Sequence, residues 1–220
     1  MKKLMIIAVI GVCAGLAYGQ AQFEMKSSIP GTLRVLVYGP EPSNPTQPLY
    51  GNPPEGIPSG TTTYSGPLLQ GTGYTAEIWW GTTSDENSLQ AVPGSQWHFR
   101  TGAGAGILDG KSPTGGQTLL TVPGCNFSGN VYMQLRVWDN NGGQITSWAD
   151  ALTYWNSITD PNYAIGKSQI FEQKVVIAPE PASPGLLNLR SFSLYTNVPE
   201  PATIALLGLG GLGLLFRRRK

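Results

Sequence analysis

From Asn130 to Trp138 the chain alternates without a break, with Val131, Met133, Leu135 and Val137 on one side and Tyr132, Gln134, Arg136 and Trp138 on the other. Successive side chains of an extended strand point to opposite faces, so a period of two predicts a strand with one buried face. Similar runs occupy Thr32 to Tyr38, Tyr74 to Trp80, Gln96 to Thr101, Gln117 to Val122, Gln169 to Ile177 and Leu187 to Tyr195. Gly, Pro and Asn punctuate them. The 29 Gly and 18 Pro of 220 residues exclude a helical bundle, because both residues break helices wherever they fall inside one. The expectation is an all-β fold, an antiparallel β-sandwich or jelly roll of about seven to nine strands with one short helix.

Two segments leave that rhythm. Gly39 to Thr72 carries eight prolines and six glycines and reads as a long surface loop with a short extra strand near Tyr50, serving as a binding surface or a spacer. Ser147 to Trp155 reads as the helix, with Ser147 as N-cap and Asp150 in the first turn. Trp148, Ala151, Leu152 and Trp155 fall on one helical face, and this face is expected to cover an open end of the sandwich.

The chain ends have a different composition. Met1-Lys2-Lys3, the apolar run Leu4 to Leu16 and the small residues Ala17, Gly19 and Ala21 have the three regions of a secretory leader, with a cut after Gly19 or after Ala21. Residues 1–21 are therefore set apart as a signal peptide, 22–196 as the β domain and 197–220 as a sorting or anchor segment. Ala202 to Phe216 runs 15 residues without a charge and is closed by Arg217, Arg218, Arg219 and Lys220. As a helix at about 1.5 Å per residue it would reach roughly 22 Å, short of the roughly 30 Å hydrocarbon core, so it would span by thinning the bilayer or by arginine snorkelling. The four cations favour the cytoplasmic side, leaving the β domain outside.

Val198-Pro199-Glu200-Pro201, the apolar stretch and the basic cluster Arg217 to Lys220, in that order, resemble the PEP-CTERM sorting signal of Gram-negative bacteria. Pro40-Glu41-Pro42 and Pro179-Glu180-Pro181 repeat the tripeptide without the apolar and basic parts. The resemblance implies handling by an exosortase-like membrane enzyme after export, in bacteria that typically make extracellular polysaccharide. The flanking prolines stop the helix from extending upstream and leave the tripeptide extended. Residues 71 to 171 also resemble small exported proteins with the same signal and no established activity. The matching pieces are Gly71 to Trp79, Phe99 to Gly102, Gln134 to Asp139 and Gly166 to Phe171.

The whole chain has 14 basic and 13 acidic residues, which argues against a nucleic-acid partner. Without the two leader lysines and the four tail cations, 8 basic residues face 13 acidic ones, a net −5. Cys125 is the one cysteine outside the leader, so an intramolecular disulfide is excluded, and a small packed residue is the simplest reading. His98 is the single histidine and no Gly-x-Ser-x-Gly elbow accompanies it, which leaves a catalytic triad without support. Asp139-Asn140-Asn141-Gly142-Gly143 has the oxygens of a calcium loop but lacks EF-hand spacing, and Asn-Gly is first a hairpin turn. No metal site and no cofactor are expected.

Six tryptophans fall between 79 and 155, and Trp79 and Trp138 are the candidates for stacking on a sugar. The function expected is that of an exported surface or matrix protein without catalytic activity, anchored in the membrane or released by processing. Its partners would be the export machinery, the exosortase-like enzyme and the membrane. The alternatives are a carbohydrate-binding module for extracellular polysaccharide and a secreted hydrolase, which would need paired carboxylates.

Overall fold

The computed structural model describes residues 19–110, 118–157, 160, 162–182 and 185–197. The apolar leader run and the tail helix expected above lie outside them. The first half holds β1 (Gln22–Glu24), β2 (Ser28–Ile29), β3 (Leu33–Arg34), β4 (Val37–Tyr38), β5 (Gly71–Gly81) and β6 (Gln90–Ala91). The second half holds β7 (Trp97–Phe99), β8 (Leu119–Thr121), β9 (Gly129–Asp139), β10 (Ile165–Lys167), β11 (Phe171–Val175) and β12 (Phe192–Ser193). The helix α1 (Trp148–Ser157) stands between β9 and β10. The all-β class with a single α-helix among the described residues is as expected.

The two longest strands, β5 and β9, pair antiparallel from Tyr74↔Asp139 to Gly81↔Tyr132. The outer edge of β9 carries β10 and β11, and that of β5 carries β6 and β7. One face of this sheet buries Ala76, Ile78 and Trp80 of β5 with Val131, Met133, Leu135 and Val137 of β9. Facing them are Phe23, Met25, Val35, Val37, Leu120 and Phe192. Phe23 and Leu120 come from the pair β1–β8, Val37 and Phe192 from the parallel pair β4–β12, and Met25 and Val35 from the chain just after β1 and β3, with β2–β3 as a third two-stranded piece.

Eight of the twelve described strands fall in the seven runs predicted, one of which breaks in two, and β1, β2, β6 and β10 lie outside them. Thr32 to Tyr38 breaks into β3 and β4: the Val35 N–H donates to Ser27 O (2.8 Å) and the Leu36 N–H to Ser191 Oγ (3.0 Å). Leu187 to Tyr195 opens on a turn, with the Leu189 N–H donating to Leu186 O (3.1 Å), and within it Phe192–Ser193 is strand and Tyr195 bridges Ile165. β10 was not expected, since the alternation at Ile165 spans too few residues to register.

The largest departure concerns the second face of the sheet. It was expected to face solvent, yet Gln134, Arg136 and Trp138 are 3%, 6% and 0% exposed. The cover is α1, which lies on this face and not across an open end: Trp148 and Ala151 pack on Trp138, Tyr163 and Ile165, with Leu152 and Trp155 beside them. Ser147 caps the helix as expected. Its Oγ accepts from the Asp150 N–H (3.1 Å) and donates to the Asp150 carboxylate (2.7 Å), so helix start and helix position are written in the same turn.

The Pro/Gly-rich segment is folded against the body. Tyr64 stacks on Tyr38 with ring centroids 4.1 Å apart, and its hydroxyl donates to Gly51 O (2.7 Å) and Ser191 O (3.0 Å). The buried Glu41 carboxylate accepts from the Ser65 and Gly66 N–H groups at 2.9 and 3.3 Å. Glycine is required at Gly60, where a Cβ would stand 2.0 Å from Asn52 O. Tyr50 bridges Phe192, at the place where a short strand was expected.

Ala21 belongs to this fold. It is 0% exposed, its N–H donates to Cys125 O (2.8 Å) and its carbonyl accepts from the Val122 N–H (2.8 Å). A leader cut after Ala21 removes these bonds, whereas a cut after Gly19 keeps them. A chain from which the leader is cut is therefore expected to begin at Gln20, and N-terminal peptide mass mapping that begins at Gln22 would refute this. Cys125 itself is a buried free thiol whose pKa burial pushes up.

Candidate functional site

A cavity of about 310 Å³ opens on the second face of the sheet. Its walls are Trp79 of β5, Arg136 of β9, Lys167 of β10, Trp148 and Leu152 of α1, and Tyr195, and the β5–β6 connection closes it with Glu86, Asn87 and Leu89. Trp79 stands directly across from Gln134 and Glu77 from Arg136, so Trp79 and Arg136 are diagonal neighbours, within reach for long side chains on one sheet face. The Arg136 Cζ lies 3.8 Å from the Trp79 ring centroid and 5.5 Å from that of Trp148. The guanidinium is thus held against two indole rings by cation–π attraction.

Its Nε donates to Gln134 Oε1 (2.9 Å). Burial holds the Arg136 pKa below the usual arginine range, while the nearby Glu86 and Glu77 act in the opposite sense. Glu77, although directly opposite in register, accepts from Trp79 Nε1 (2.8 Å) and Gln96 Nε2 (3.0 Å). The carboxylate ion-paired with Arg136 among the described residues is Glu86, at 3.8 Å from Nη2. Glu86 sits on a single 3-10 turn, Glu86–Ser88, capped by Asp85, and it also accepts from Lys167 Nζ at 2.5 Å.

The two tryptophans singled out from the sequence part company here. Trp79 is half-buried and lines the cavity, but one of its faces already carries Arg136. Trp138 is fully enclosed: its Nε1 donates to Ile145 O (3.1 Å) and its ring meets Trp148 edge-on at 6.2 Å. Trp138 presents no face to a sugar, which corrects the expectation, because α1 occupies that side of the sheet.

The remaining chemical candidates are committed locally. His98 Nδ1 is 2.9 Å from Tyr74 O, and since a carbonyl only accepts, Nδ1 carries the proton. The Asp139 segment is a turn: Oδ1 accepts from the Asn141 N–H (2.8 Å), Asn141 and Gly142 take positive φ of 48° and 67°, and Asn140 Nδ2 donates to Thr72 O (2.7 Å). Burial raises the Asp139 pKa, with the Asn141 N–H acting against it. Among the described residues no group of three or more His, Cys, Asp or Glu is placed to hold a metal ion.

At the foot of the domain the chain stays fastened to its last described residue. Tyr195 exchanges backbone hydrogen bonds with Ile165 (2.8 and 3.1 Å), the Thr196 N–H donates to Pro45 O (2.8 Å), and the Asn197 side-chain amide donates to Trp155 O. From that point on, residues 197–220 match the family model of the PEP-CTERM protein-sorting motif. The chain carries a PEP-CTERM sorting signal. The PEP-CTERM match places it among proteins sorted out of the cell by an exosortase, with the signal, at the C-terminus, as the membrane anchor. The sorting residues Val198, Pro199, Glu200, Pro201, Arg217, Arg218, Arg219 and Lys220 lie outside the described residues, as does the expected membrane helix. Among the described residues no helix is long and apolar enough to cross a membrane. No curated protein and no solved structure matches the chain.

Arg136, Glu86, Lys167 and Tyr195 were not singled out from the sequence, and Trp148 was placed only on the packing face of the helix. One available signal was that Arg136 and Trp138 share the same face of a strand. The other was the Trp-rich helix that follows, which marks this face as covered.

Proposed function

We propose that this chain is an exported cell-surface or matrix protein that binds without catalysing, is held at the membrane by its C-terminal signal and is freed when that signal is processed. The observation that carries this reading is the junction: a fold whose last described bonds are made by Thr196 and Asn197, where the match to the PEP-CTERM motif, residues 197–220, begins. The non-catalytic part draws support from the commitments of the chemical groups. Glu77 is occupied by Trp79 and Gln96, His98 by a backbone carbonyl, and the Cys125 thiol is buried.

The test is intact mass and C-terminal peptide mapping of the protein from its native host. Loss of the residues beyond about Pro201 is the expected result for a processed signal. Recovery of Lys220 in a membrane fraction and nothing outside it would make the tail a permanent anchor and overturn the release step.

A further inference from the structure

The cavity between α1 and the sheet has two cations and one carboxylate of the protein's own. Arg136 and Lys167 both point to Glu86, yet the fit is uneven, 2.5 Å to Lys167 and 3.8 Å to the guanidinium. A guanidinium bonds a carboxylate best through two parallel N–H···O contacts at about 2.7–2.9 Å. The carboxylate that register places opposite Arg136, Glu77, is turned away to Trp79 and Gln96. A buried cation is thus assembled on the sheet, stacked on Trp79 and bonded to Gln134 Oε1 and, at 3.5 Å, to the Glu86 carbonyl, while its charge partner, the Glu86 carboxylate, is distant and partly exposed.

Glu86 is the movable member: it belongs to the short turn Glu86–Ser88, none of whose residues is buried. The space beside it, about 310 Å³, is at the lower end of the roughly 300–1,000 Å³ of small-molecule pockets, which fits one sugar-sized ring. The walls that a ring would meet are Trp148, Leu152 and Tyr195.

We propose that this cavity binds a carboxylate-bearing ring, whose carboxylate takes the place of Glu86 between Arg136 and Lys167. The same chemistry has two sources, a uronate unit of an acidic polysaccharide and a free cyclic carboxylic acid. Glu86 shows that the pair of cations accepts a carboxylate, and in the unliganded protein it neutralises them. The inference deepens the binding part of the reading above and does not depend on how the tail is processed.

The exported protein, purified from its host, is titrated with methyl glucuronide, methyl glucoside and benzoate while tryptophan emission is followed, since Trp79 and Trp148 line the site. Saturable binding of a carboxylate, and none of methyl glucoside, is expected. Methyl glucuronide ahead of benzoate assigns the polysaccharide source, and the reverse order assigns the free acid.

Glu86→Gln removes the competing charge and should tighten carboxylate binding by about tenfold, whereas Lys167→Ala should weaken it by about tenfold. Both side chains are partly exposed and glutamine keeps a carbonyl oxygen towards Arg136, and thermal unfolding of each variant checks that it has folded. The inference is overturned if neither carboxylate saturates the protein or its Glu86→Gln form, if methyl glucoside binds equally well, or if Glu86→Gln weakens binding. C-terminal mapping can fail without touching this result, and the titration can fail without touching the sorting signal.

Discussion

Trp138→Ala is expected to destabilise the domain by about 3–5 kcal/mol, the usual cost of emptying a buried tryptophan site. Trp138 has no exposed surface, donates its indole N–H to Ile145 O at 3.1 Å and meets Trp148 edge-on at 6.2 Å. Its loss leaves the Ile145 carbonyl without that donor and α1 without the ring on which it rests. For a domain of this size the melting temperature should fall by roughly 6–20 °C. Thermal unfolding followed by near-ultraviolet circular dichroism measures it. A shift under about 2 °C would mean that α1 does not pack on Trp138 as described. Ligand affinity of the folded fraction should change far less than stability, because this ring does not line the cavity.

A chain ending at Asn197 is expected to leave the membrane fraction altogether and to keep its fold, because the last described bonds to the body come from Thr196 and Asn197. A chain ending at Arg190 loses Phe192 and Leu194, both fully buried, together with the pairing of β12 to β4. At about 1.5–3 kcal/mol for each such side chain, before the lost hydrogen bonds are counted, this removes much of a typical stability of about 5–15 kcal/mol. The longer truncate should therefore appear in the medium as a protease-resistant domain and the shorter one should be degraded. Cell fractionation with limited proteolysis separates the cases. Membrane retention of the chain ending at Asn197 would show that something other than the sorting signal holds the protein there.

The parts of the fold that were legible are those coded locally. Alternation over Tyr74 to Trp80 and Asn130 to Trp138 marks β5 and β9, and the Ser147 hydroxyl with Asp150 marks the start of α1. What escaped was coded by partners distant in sequence. Thr32 to Tyr38 reads as one strand because its alternation is continuous, but the bonds to Ser27 and Ser191 divide it. Arg136 reads as solvent-facing because it alternates with Leu135 and Val137, and only the docking of α1 turns that face inward. The cavity was hidden for the same reason: Trp79, Glu86, Arg136, Trp148 and Lys167 come from five separate elements, and no spacing along the chain brings them together. The sorting signal was fully legible, since its three parts follow one another at the chain end.

The parallel pair β4–β12 ties Val37 to Phe192, and the nearby Leu36 N–H reaches Ser191 Oγ, 155 positions further along. Contacts of such sequence separation form late, because the intervening chain must first be present and ordered. For a polypeptide threaded out from its N-terminal end, this part of the core waits for residues 191–193, the stretch that shortly precedes the sorting signal at 197–220.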